Sequence, residues 1–261
     1  MKTTIVSVCI LTVLSFSSCA ELPPSFEKCN IKHLDFEKCL SDAIHDAIKQ
    51  LKDPIPELGL PSIDPFNMES IKLDLGDSTQ SLQQIWSNIT LQGLSKPAAT
   101  DARWTSGSVI TLDLDVSYDG TLVFTTDYEA HGAALLLVVD VFSKFTCEFV
   151  DGGNVKVRYQ IQQPEESNGY FELISTKVVL EPKQVKFMYH DFFKNQSMTD
   201  AINSEINKNW KATWDFIHEF VGVYDPYFGA LLTIILEKVP ADQIFDGLSW
   251  NRIFIMCRFL K

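Results

Sequence analysis

The hydrophobic residues that follow Cys39 recur at intervals of three and four, which is the spacing of one helical face. They are Leu40, Ala43, Ile44, Ala47, Ile48 and Leu51. Asp35 stands just before this stretch, and its side chain is of a type that accepts hydrogen bonds at a helix N-terminus. The pattern predicts a short amphipathic helix with Asp35 as its N-cap.

A proline-rich stretch follows this helix. Residues 52–66 contain four prolines, which disfavour helix and central strand alike: Pro54, Pro56, Pro61 and Pro65. The same stretch carries large apolar residues, namely Ile55, Leu58, Leu60 and Ile63. We therefore expect a stiff, extended connector whose apolar side chains are buried.

From Ile71 to Phe193 the pattern changes to a period of two, which is typical of strands. ITLDLDVSY (110–118), KFTCEFV (144–150) and VKVRYQI (155–161) alternate apolar and polar residues. Asp119-Gly120, the DGGN of residues 151–154 and Asn168-Gly169 are turn signals between such segments. Short turns between successive strands predict an antiparallel sheet. AALLLVVDVF (133–142) is apolar throughout, and we interpret it as one strand covered on both faces.

Helical spacing returns at Ser197, which we expect to cap a helix. The apolar stripe consists of Met198, Ile202, Ile206, Trp210, Trp214, Ile217, Phe220, Val221, Tyr224, Phe228, Leu231, Leu232, Ile235 and Val239. Gly222 and Pro226 are expected to kink or split it, with Asp225 capping the second segment. If nearly continuous, this helix is about 60 Å long at 1.5 Å per residue. The pattern predicts an α+β fold in which a highly curved antiparallel sheet wraps a long C-terminal helix.

The composition is that of an acidic protein with a large apolar interior. The formal net charge is −12, 46% of residues are hydrophobic and 18 are phenylalanine. A surface of this charge repels nucleic acid, and the chain carries no basic run, so we expect no nucleic-acid partner. After the first 20 residues no stretch is long and uncharged enough for stable membrane insertion. We expect a monomer with one domain over residues 21–246 and an apolar C-terminal tail over residues 247–261.

The first 20 residues have the features of a secretory signal peptide. Lys2 precedes an apolar run from Ile5 to Phe16, and small residues lead to Ala20, after which we expect cleavage. Two alternatives are a bacterial lipoprotein signal that uses Cys19 and a signal anchor. Phe16 fits the first poorly, and the run is short for the second. The sequence therefore predicts a secreted, extracellular protein.

Four cysteines remain after the signal peptide: Cys29, Cys39, Cys147 and Cys257. In an oxidising compartment we expect a disulfide between Cys29 and Cys39, because only this pair is close in sequence. Closing so short a loop stabilises a fold by about 3 kcal/mol in the chain-entropy model. Cys147 and Cys257 either form a second disulfide or remain buried thiols, and the sequence leaves both open.

No motif for catalysis, metal binding or a cofactor is present. The chain lacks a phosphate-binding loop, a G-x-S-x-G elbow and an H-E-x-x-H pair. The histidines are not spaced as metal ligands: His33, His45, His131, His190 and His218. Asp113, Asp115 and Asp119 faintly suggest a calcium loop, but Tyr118 stands where such a loop needs glycine. We interpret these aspartates as solvent-facing carboxylates and expect no enzyme, no cofactor and no metal site.

Two N-glycosylation sequons are present, at Asn88-Ile89-Thr90 and Asn195-Gln196-Ser197. A secreted chain could carry a glycan at each, so Asn88 and Asn195 are the glycosylation candidates.

The inward faces of the predicted sheet and helices supply candidates for a ligand-binding surface. They are Ile44, Ile48, Phe145, Phe149, Tyr159, Trp210, Trp214 and Ile217. A filled core and a lipid tunnel are built from the same residue types, so periodicity leaves both interpretations open.

Five segments together resemble the insect takeout and juvenile hormone-binding protein family. PSFEKCNIKHLDFEKCLSDAI (24–44) is similar to the family's cysteine-bounded N-terminal arm and helix, and IPELGLPSIDPF (55–66) to its proline-punctuated connector. NITLQGLSK (88–96) is similar to a strand that ends in a Gly-Leu-Ser turn. HDFFKNQSMTDAINSEINKNWKATW (190–214) resembles the entry to the C-terminal helix, and VPADQIF (239–245) the terminal motif. The matches occur in order over most of the chain.

The resemblance implies a long helix wrapped by a curved antiparallel sheet, as in lipid-transfer proteins of the bactericidal/permeability-increasing type. It also implies a secreted, non-enzymatic carrier of a small hydrophobic ligand, either a juvenile hormone-like terpenoid or a fatty-acid-like lipid, in an internal tunnel. The Cys29–Cys39 bridge would then hold the N-terminal arm and helix near one end of that tunnel.

The chain departs from the family pattern at three places. Asp191 to Asn195 replaces an Asn-Leu-Phe-Asn-Gly turn, residues 131–142 are bulkier than the family's glycine-rich strands, and the chain continues past VPADQIF. These departures make ligand identity the least transferable expectation. The alternatives to a carrier are an extracellular signalling or interaction protein with a filled core and, well behind, a lipid hydrolase.

Overall fold

The structure, a computed structural model, describes residues 21–76, 81–134, 137–164, 169–217 and 224–248. Its strands are β1 (Cys29–Asn30), β2 (Phe66–Met68), β3 (Ile71–Gly76), β4 (Ser81–Gln92), β5 (Ala99–Thr105), β6 (Ile110–Tyr118), β7 (Leu122–Ala134), β8 (Leu137–Gln162), β9 (Glu172–His190) and β10 (Phe245–Asp246). Its α-helices are α1 (Phe36–Gln50), α2 (Gln196–Lys208), α3 (Trp210–Ile217), α4 (Asp225–Lys238) and α5 (Ala241–Ile244).

A large, curved antiparallel sheet forms the body of the fold, as the period-two pattern predicted. The strand order is β2-β4-β7-β8-β6-β5, with β3 also paired to β4 and β9 also paired to β8. Strand β8 is 26 residues long, and three other strands pair with it. Strands β6 and β7 both pair with it, β6 beside its second half and β7 beside its first half. Strand β9 pairs with β8 along its other edge.

Two turn predictions are wrong, because the predicted turns lie within or between aligned strands. Residues 151–154 form a bulge inside the continuous strand β8, where its pairing with β9 shifts register between Val150 and Gly153. Asp119-Gly120 does not close a hairpin. It joins β6 to β7 where Tyr118 pairs with Gly153 and Leu122 with Phe149. At both places, residues that are typical of turns occupy a local irregularity in an otherwise extended chain.

The interpretation of residues 133–142 as one covered strand is also wrong. Strand β7 ends at Ala134 and β8 begins at Leu137, so the run forms the two arms of a hairpin. Val138 is 85% exposed and Phe142 is 59% exposed, whereas Val141 on the opposite face is buried. The described elements therefore bury one face of this hairpin and leave the other open.

Helix α1 and the burial of the connector agree with the sequence predictions, but the cap and the extended form of the connector do not. The connector turns back on itself, with Ile55 bridged to Leu60. Phe36 and Leu40 of α1 are buried, and Leu58, Leu60 and Ile63 of the connector are also buried. Asp35 precedes α1 but its side chain makes no capping hydrogen bond.

Helix α1 protects the edge strand β5. The Ser41 hydroxyl accepts a hydrogen bond from the backbone N–H of Ala102 (2.9 Å), and the Glu37 carboxylate accepts one from that of Trp104 (3.1 Å). Strand β5 would otherwise present these donors at an open edge of the sheet.

A single long C-terminal helix is not confirmed. Where residues 197–239 are described, they form the three helices α2, α3 and α4, with a break at Asn209 between α2 and α3 that the sequence pattern did not indicate. Gly222, the predicted kink, lies outside the described residues. The predicted cap at Ser197 is wrong, since the Asn195 side chain accepts the hydrogen bond from the Met198 N–H (3.1 Å).

Asp225 also has a different role from the one predicted. It is the first residue of α4, and its carboxylate accepts a hydrogen bond from the Val178 N–H of β9 (2.7 Å). Helix α2 contacts β9 in a similar way through two asparagines. The Asn203 side-chain amide bonds both backbone groups of Tyr189, and the Asn207 amide bonds both backbone groups of Phe187, at 2.7–2.9 Å. Side chains of α2 and α4 thus complete the outer edge of β9.

Asp64 fixes the loop that follows β4. Its carboxylate accepts hydrogen bonds from the Gly93 N–H (2.9 Å), the Ser95 N–H (3.4 Å) and the Ser95 hydroxyl (2.6 Å). Burial alone would raise the pKa of Asp64, but these hydrogen bonds outweigh it and hold the pKa below its ordinary value of 3.8.

We expect Asp64 to contribute to acid sensitivity. A carboxylate with a depressed folded-state pKa stabilises the fold fully above its unfolded-state pKa, and this contribution is lost as pH falls through the folded-state value. Asp64→Asn should therefore lower the unfolding free energy at pH 6 by about 1 kcal/mol, because a neutral acceptor is weaker. The difference from wild type should shrink below pH 3.8. Urea unfolding between pH 3 and 6 measures it, and a constant difference would contradict the assignment.

Candidate functional site

An apolar cavity lies between the inner face of the sheet and the C-terminal helices. Its volume is ≈ 110 Å³. The sheet contributes Ile71, Leu73, Gln84, Trp86, Leu91, Leu122, Phe124, Phe145, Cys147, Phe149, Val155, Leu180 and Phe187. The helical side contributes Trp214, Ile217, Tyr224 and Phe228. None of these lining residues carries a charge.

Strand pairing explains why these side chains meet. Residues opposite each other in neighbouring strands point to the same face, so each aligned row contributes several side chains to one wall. Phe124, Cys147 and Phe187 form such a row across β7, β8 and β9. Trp214 of α3 covers the wall from the helical side, and its ring lies 5.2 Å from that of Phe149 at an interplanar angle of 87°.

The volume indicates what the cavity holds in this conformation. An engineered apolar cavity of about 150 Å³ stays dry and binds benzene. At ≈ 110 Å³, the cavity is of the same order and accommodates a ring or a short stretch of alkyl chain. A longer ligand requires side chains to move.

Four of the ligand-lining candidates from the sequence lie in the cavity wall. They are Phe145 and Phe149 of β8, and Trp214 and Ile217 of α3. Phe145 and Phe149 are four residues apart in a strand and therefore share its inner face.

The other four candidates lie outside the wall. Tyr159 is buried under α4, where its hydroxyl donates to the Phe228 carbonyl oxygen (3.4 Å). Trp210 is half-buried at the start of α3 and packs against the core. Ile44 and Ile48 are on α1, which packs against β5, and they also contact the core.

Sequence reasoning missed the polar groups of the cavity. Gln84 and Trp86 lie on the same face of β4, opposite Leu73 and Ile71 of β3. The Gln84 side chain is half-buried, and the buried indole Nε1 of Trp86 has no hydrogen-bond partner among the described residues. The sequence signal for this site is a polar residue, Gln84, on the strand face that also carries Leu82 and Trp86. Because Gln83 and Gln84 are adjacent, the sequence alone does not show which of them faces inward.

Cys147 and Tyr224 are the remaining polar groups of the wall. Burial, together with Glu148, raises the pKa of the Cys147 thiol, so it stays protonated at neutral pH. Burial, together with the nearby Cys147, raises the pKa of the Tyr224 hydroxyl. A thiol held neutral is a poor nucleophile, and none of the described residues that line the cavity is a base that could activate it.

The structure contains the Cys29–Cys39 disulfide. Cys29 belongs to β1, which pairs in parallel with β10, so the bond ties α1 to both ends of the described domain. Cys147 is a free, buried thiol, and Cys257, its candidate partner, lies outside the described residues. A ring cluster of Phe36, Trp104 and Phe245 packs beside the disulfide-tethered helix.

The remaining sequence candidates lie on the surface. Asp113 pairs with Arg158 across the sheet (2.6 Å), and Asp115 with Lys156 (3.7 Å), as expected for solvent-facing carboxylates. In the part of the chain that the structure describes, no group of three or more His, Cys, Asp or Glu side chains could hold a metal ion. His218 lies outside that part.

Both sequon asparagines are exposed. The Asn88 side-chain nitrogen donates to the Asp127 carboxylate (2.7 Å), and the Asn195 side-chain oxygen caps α2. Over the described residues, no helix combines the length and apolar character needed to cross a membrane.

Comparison with known proteins gives one family and one fold. Residues 5–246 match the family described as "Haemolymph juvenile hormone binding protein (JHBP)". The crystal structure of Epiphyas postvittana Takeout 1 is similar, with a TM-score of 0.63 and 19% identity over 84% of this chain and 99% of that one. A crystal structure of lipopolysaccharide binding protein matches at a TM-score of 0.31 and 11% identity, over 68% of this chain and 35% of that one. No curated protein matches the chain.

Proposed function

The chain belongs to the haemolymph juvenile hormone binding protein family, as its motifs predicted, and we propose that it is a non-enzymatic carrier of a small hydrophobic ligand. The ligand would occupy the cavity between the sheet and helices α3 and α4 and would be shielded there from water. The observation that carries this proposal is that none of the described residues lining that cavity carries a charge.

The binding free energy would come from apolar burial. Removing apolar surface from water contributes about 25 cal/mol per Å², so a ligand that buries 200–300 Å² gains roughly 5–7 kcal/mol before the entropic cost of binding. The cavity in its present volume takes only part of a terpenoid or lipid chain. We therefore infer that ligand entry widens the space between α3 and the sheet into a longer tunnel.

In this proposal the N-terminal end of the domain is the rigid part that supports the cavity. The Cys29–Cys39 bond and the hydrogen bonds from α1 to β5 hold the arm, the helix and the sheet edge together. This leaves the contact between α3 and the sheet as the more adaptable one. In this proposal the domain spans residues 21–246, residues 1–20 direct secretion, and the monomeric protein works outside the cell, with Asn88 and Asn195 as glycosylation sites.

Native mass spectrometry of the secreted protein tests the carrier function. We expect an adduct of a few hundred daltons that organic solvent releases, and lipid extraction would then identify its class. A protein that carries no adduct and takes up no member of a panel of terpenoids, fatty acids and their esters would contradict the proposal. An extracellular interaction protein with a filled core would then be the better explanation.

A further inference from the structure

We propose that the outer edge of β3, the edge that faces away from β4, is a surface at which two copies of this protein pair. The two β3 strands would lie antiparallel, with Leu73 of each copy at the two-fold axis, and the sheet would continue from one copy into the other. The inference goes beyond the carrier function proposed above. It adds a reversible dimer, formed at high concentration, to a carrier that is monomeric when dilute.

The outer edge of β3 lacks the cover that β5 and β9 have. Strand β3 pairs with β4 along one edge, and within the described part of the chain no strand or hydrogen bond occupies the backbone of its other edge. By contrast, side chains of α1 bond the backbone of β5, and side chains of α2 and α4 bond that of β9. An open edge presents alternate N–H and C=O groups to which a further strand can bond.

The charges on the outer face of β3 are self-complementary. Lys72 and Asp74 are exposed and stand on either side of Leu73. In an antiparallel pair centred on Leu73, Lys72 of each copy lies opposite Asp74 of the other, which gives two opposite-charge pairs. A pair centred on Lys72 or on Asp74, or a parallel pair in register, would place like charges opposite each other, which is destabilising. The charges therefore favour a second copy as the partner and select one register.

Both charges are available for a partner. Lys72 lies opposite Ile85 of β4 and makes no ion pair with a described residue. Asp74 lies opposite Gln83, whose side-chain amide donates to one of its carboxylate oxygens (2.9 Å). A lysine from a second copy would therefore meet a carboxylate that no cation among the described residues neutralises.

The same strand forms part of the cavity wall. Ile71 and Leu73 lie on the face of β3 opposite to the charges and line the cavity. In the antiparallel pair, Leu73 of one copy lies beside Leu73 of the other, so the partner extends the apolar wall at the two-fold axis. The paired strands are only six residues long, which places the contact among the weak interfaces that bury less than about 1,200 Å². We therefore expect a transient dimer.

Sedimentation velocity of the ligand-free full chain over a range of concentrations tests the pairing. For wild type we expect a dimer with a dissociation constant of roughly 10 µM to 1 mM, as for a weak interface. Lys72→Asp gives each copy two carboxylates on this face, and Asp74→Lys gives each copy two ammonium groups. Each variant alone should raise the dissociation constant at least about tenfold. An equal mixture of the two variants recreates both opposite-charge pairs, so it should form a heterodimer within about threefold of the wild-type affinity.

Lys177→Asp is the matched control, because it makes the same change of net charge at an exposed position of β9, opposite Arg158. It should dimerise as wild type does, and circular dichroism would show that all three variants are folded. A wild type that stays monomeric at about 1 mM, an association that survives either β3 variant, or a mixture that fails to associate would overturn the inference.

Hydrogen exchange identifies a different occupant of the edge. If the outward backbone amides of β3 are protected in a monomeric wild type, another segment of the same chain covers the edge, and the inference is wrong. Ligand uptake is measured separately by native mass spectrometry. A protein that binds lipid but never dimerises would therefore retain the carrier function, and one that dimerises without binding lipid would retain the pairing.

Discussion

Gly152→Ala is expected to lower the unfolding free energy by about 2–5 kcal/mol. Gly152 has φ +76°, a conformation that costs a residue with a side chain about 1–2 kcal/mol. A methyl group at this position would also overlap the backbone carbonyl of Tyr118, and forced overlap of this kind costs about 1–3 kcal/mol. Because β6 and β8 approach each other through this carbonyl, relief requires the strands to separate.

Gly120→Ala is the matched control for this prediction. Gly120 lies in the neighbouring segment that joins β6 to β7, and a methyl group there would meet nothing within 4 Å. Urea unfolding of both variants, followed by circular dichroism, should show a large loss for Gly152→Ala and a change within about 0.5 kcal/mol for Gly120→Ala. Equal stabilities would mean that the bulge in β8 is not fixed as described.

The glycines of residues 151–154 also show where sequence prediction of the sheet failed. A DGGN motif is compatible with a hairpin turn and with a bulge, because both need residues with positive φ. What decides between them is the pairing of β6 and β7 with the two halves of β8, and this depends on residues distant in sequence. The period-two pattern correctly predicted strands and an antiparallel sheet, but it could not give the strand order.

The prediction for residues 133–142 failed for a different reason. Apolar composition predicts burial on both faces, yet Val138 and Phe142 are exposed. Strands β7 and β8 pair as far as Ala134 and Leu137, and no glycine, proline or asparagine within residues 133–142 marks the end of either strand. Neither these strand ends nor the open face has a local signal in the sequence.

The sequence predicted which strand face the site residues occupy, but not which of those residues line the cavity. Alternation correctly put Phe145, Phe149 and Tyr159 on inner faces of β8, but only contact with α3 or α4 decides which of them borders empty space. The wall residues on β4, including Gln84, depend on the register with β3 and β7. Register is a long-range property, so the polar positions of the wall were the hardest to find.

Trp214→Ala is expected to lower the unfolding free energy by about 3–5 kcal/mol, as for other buried tryptophans truncated to alanine. Trp214 is buried, packs edge-on against Phe149 and forms part of the helical side of the cavity. Its removal should add to the cavity a space that has the shape of an indole ring. Free indole should then bind in the enlarged space and recover part of the loss, about 2.7 kcal/mol at a concentration of 100 times Kd.

Trp210→Ala on the same helix separates cavity formation from a general loss of packing. Trp210 is half-buried and lies outside the cavity wall, so its truncation should cost less and indole should not stabilise the variant. Urea unfolding of both variants and wild type, with and without indole, makes the comparison. If indole fails to stabilise Trp214→Ala, helix α3 must have closed onto the sheet and filled the space. A helix that closes so readily would show that the distance between α3 and the sheet is adjustable, whereas rescue by indole would show that the sheet and α4 hold the cavity open without the Trp214 ring.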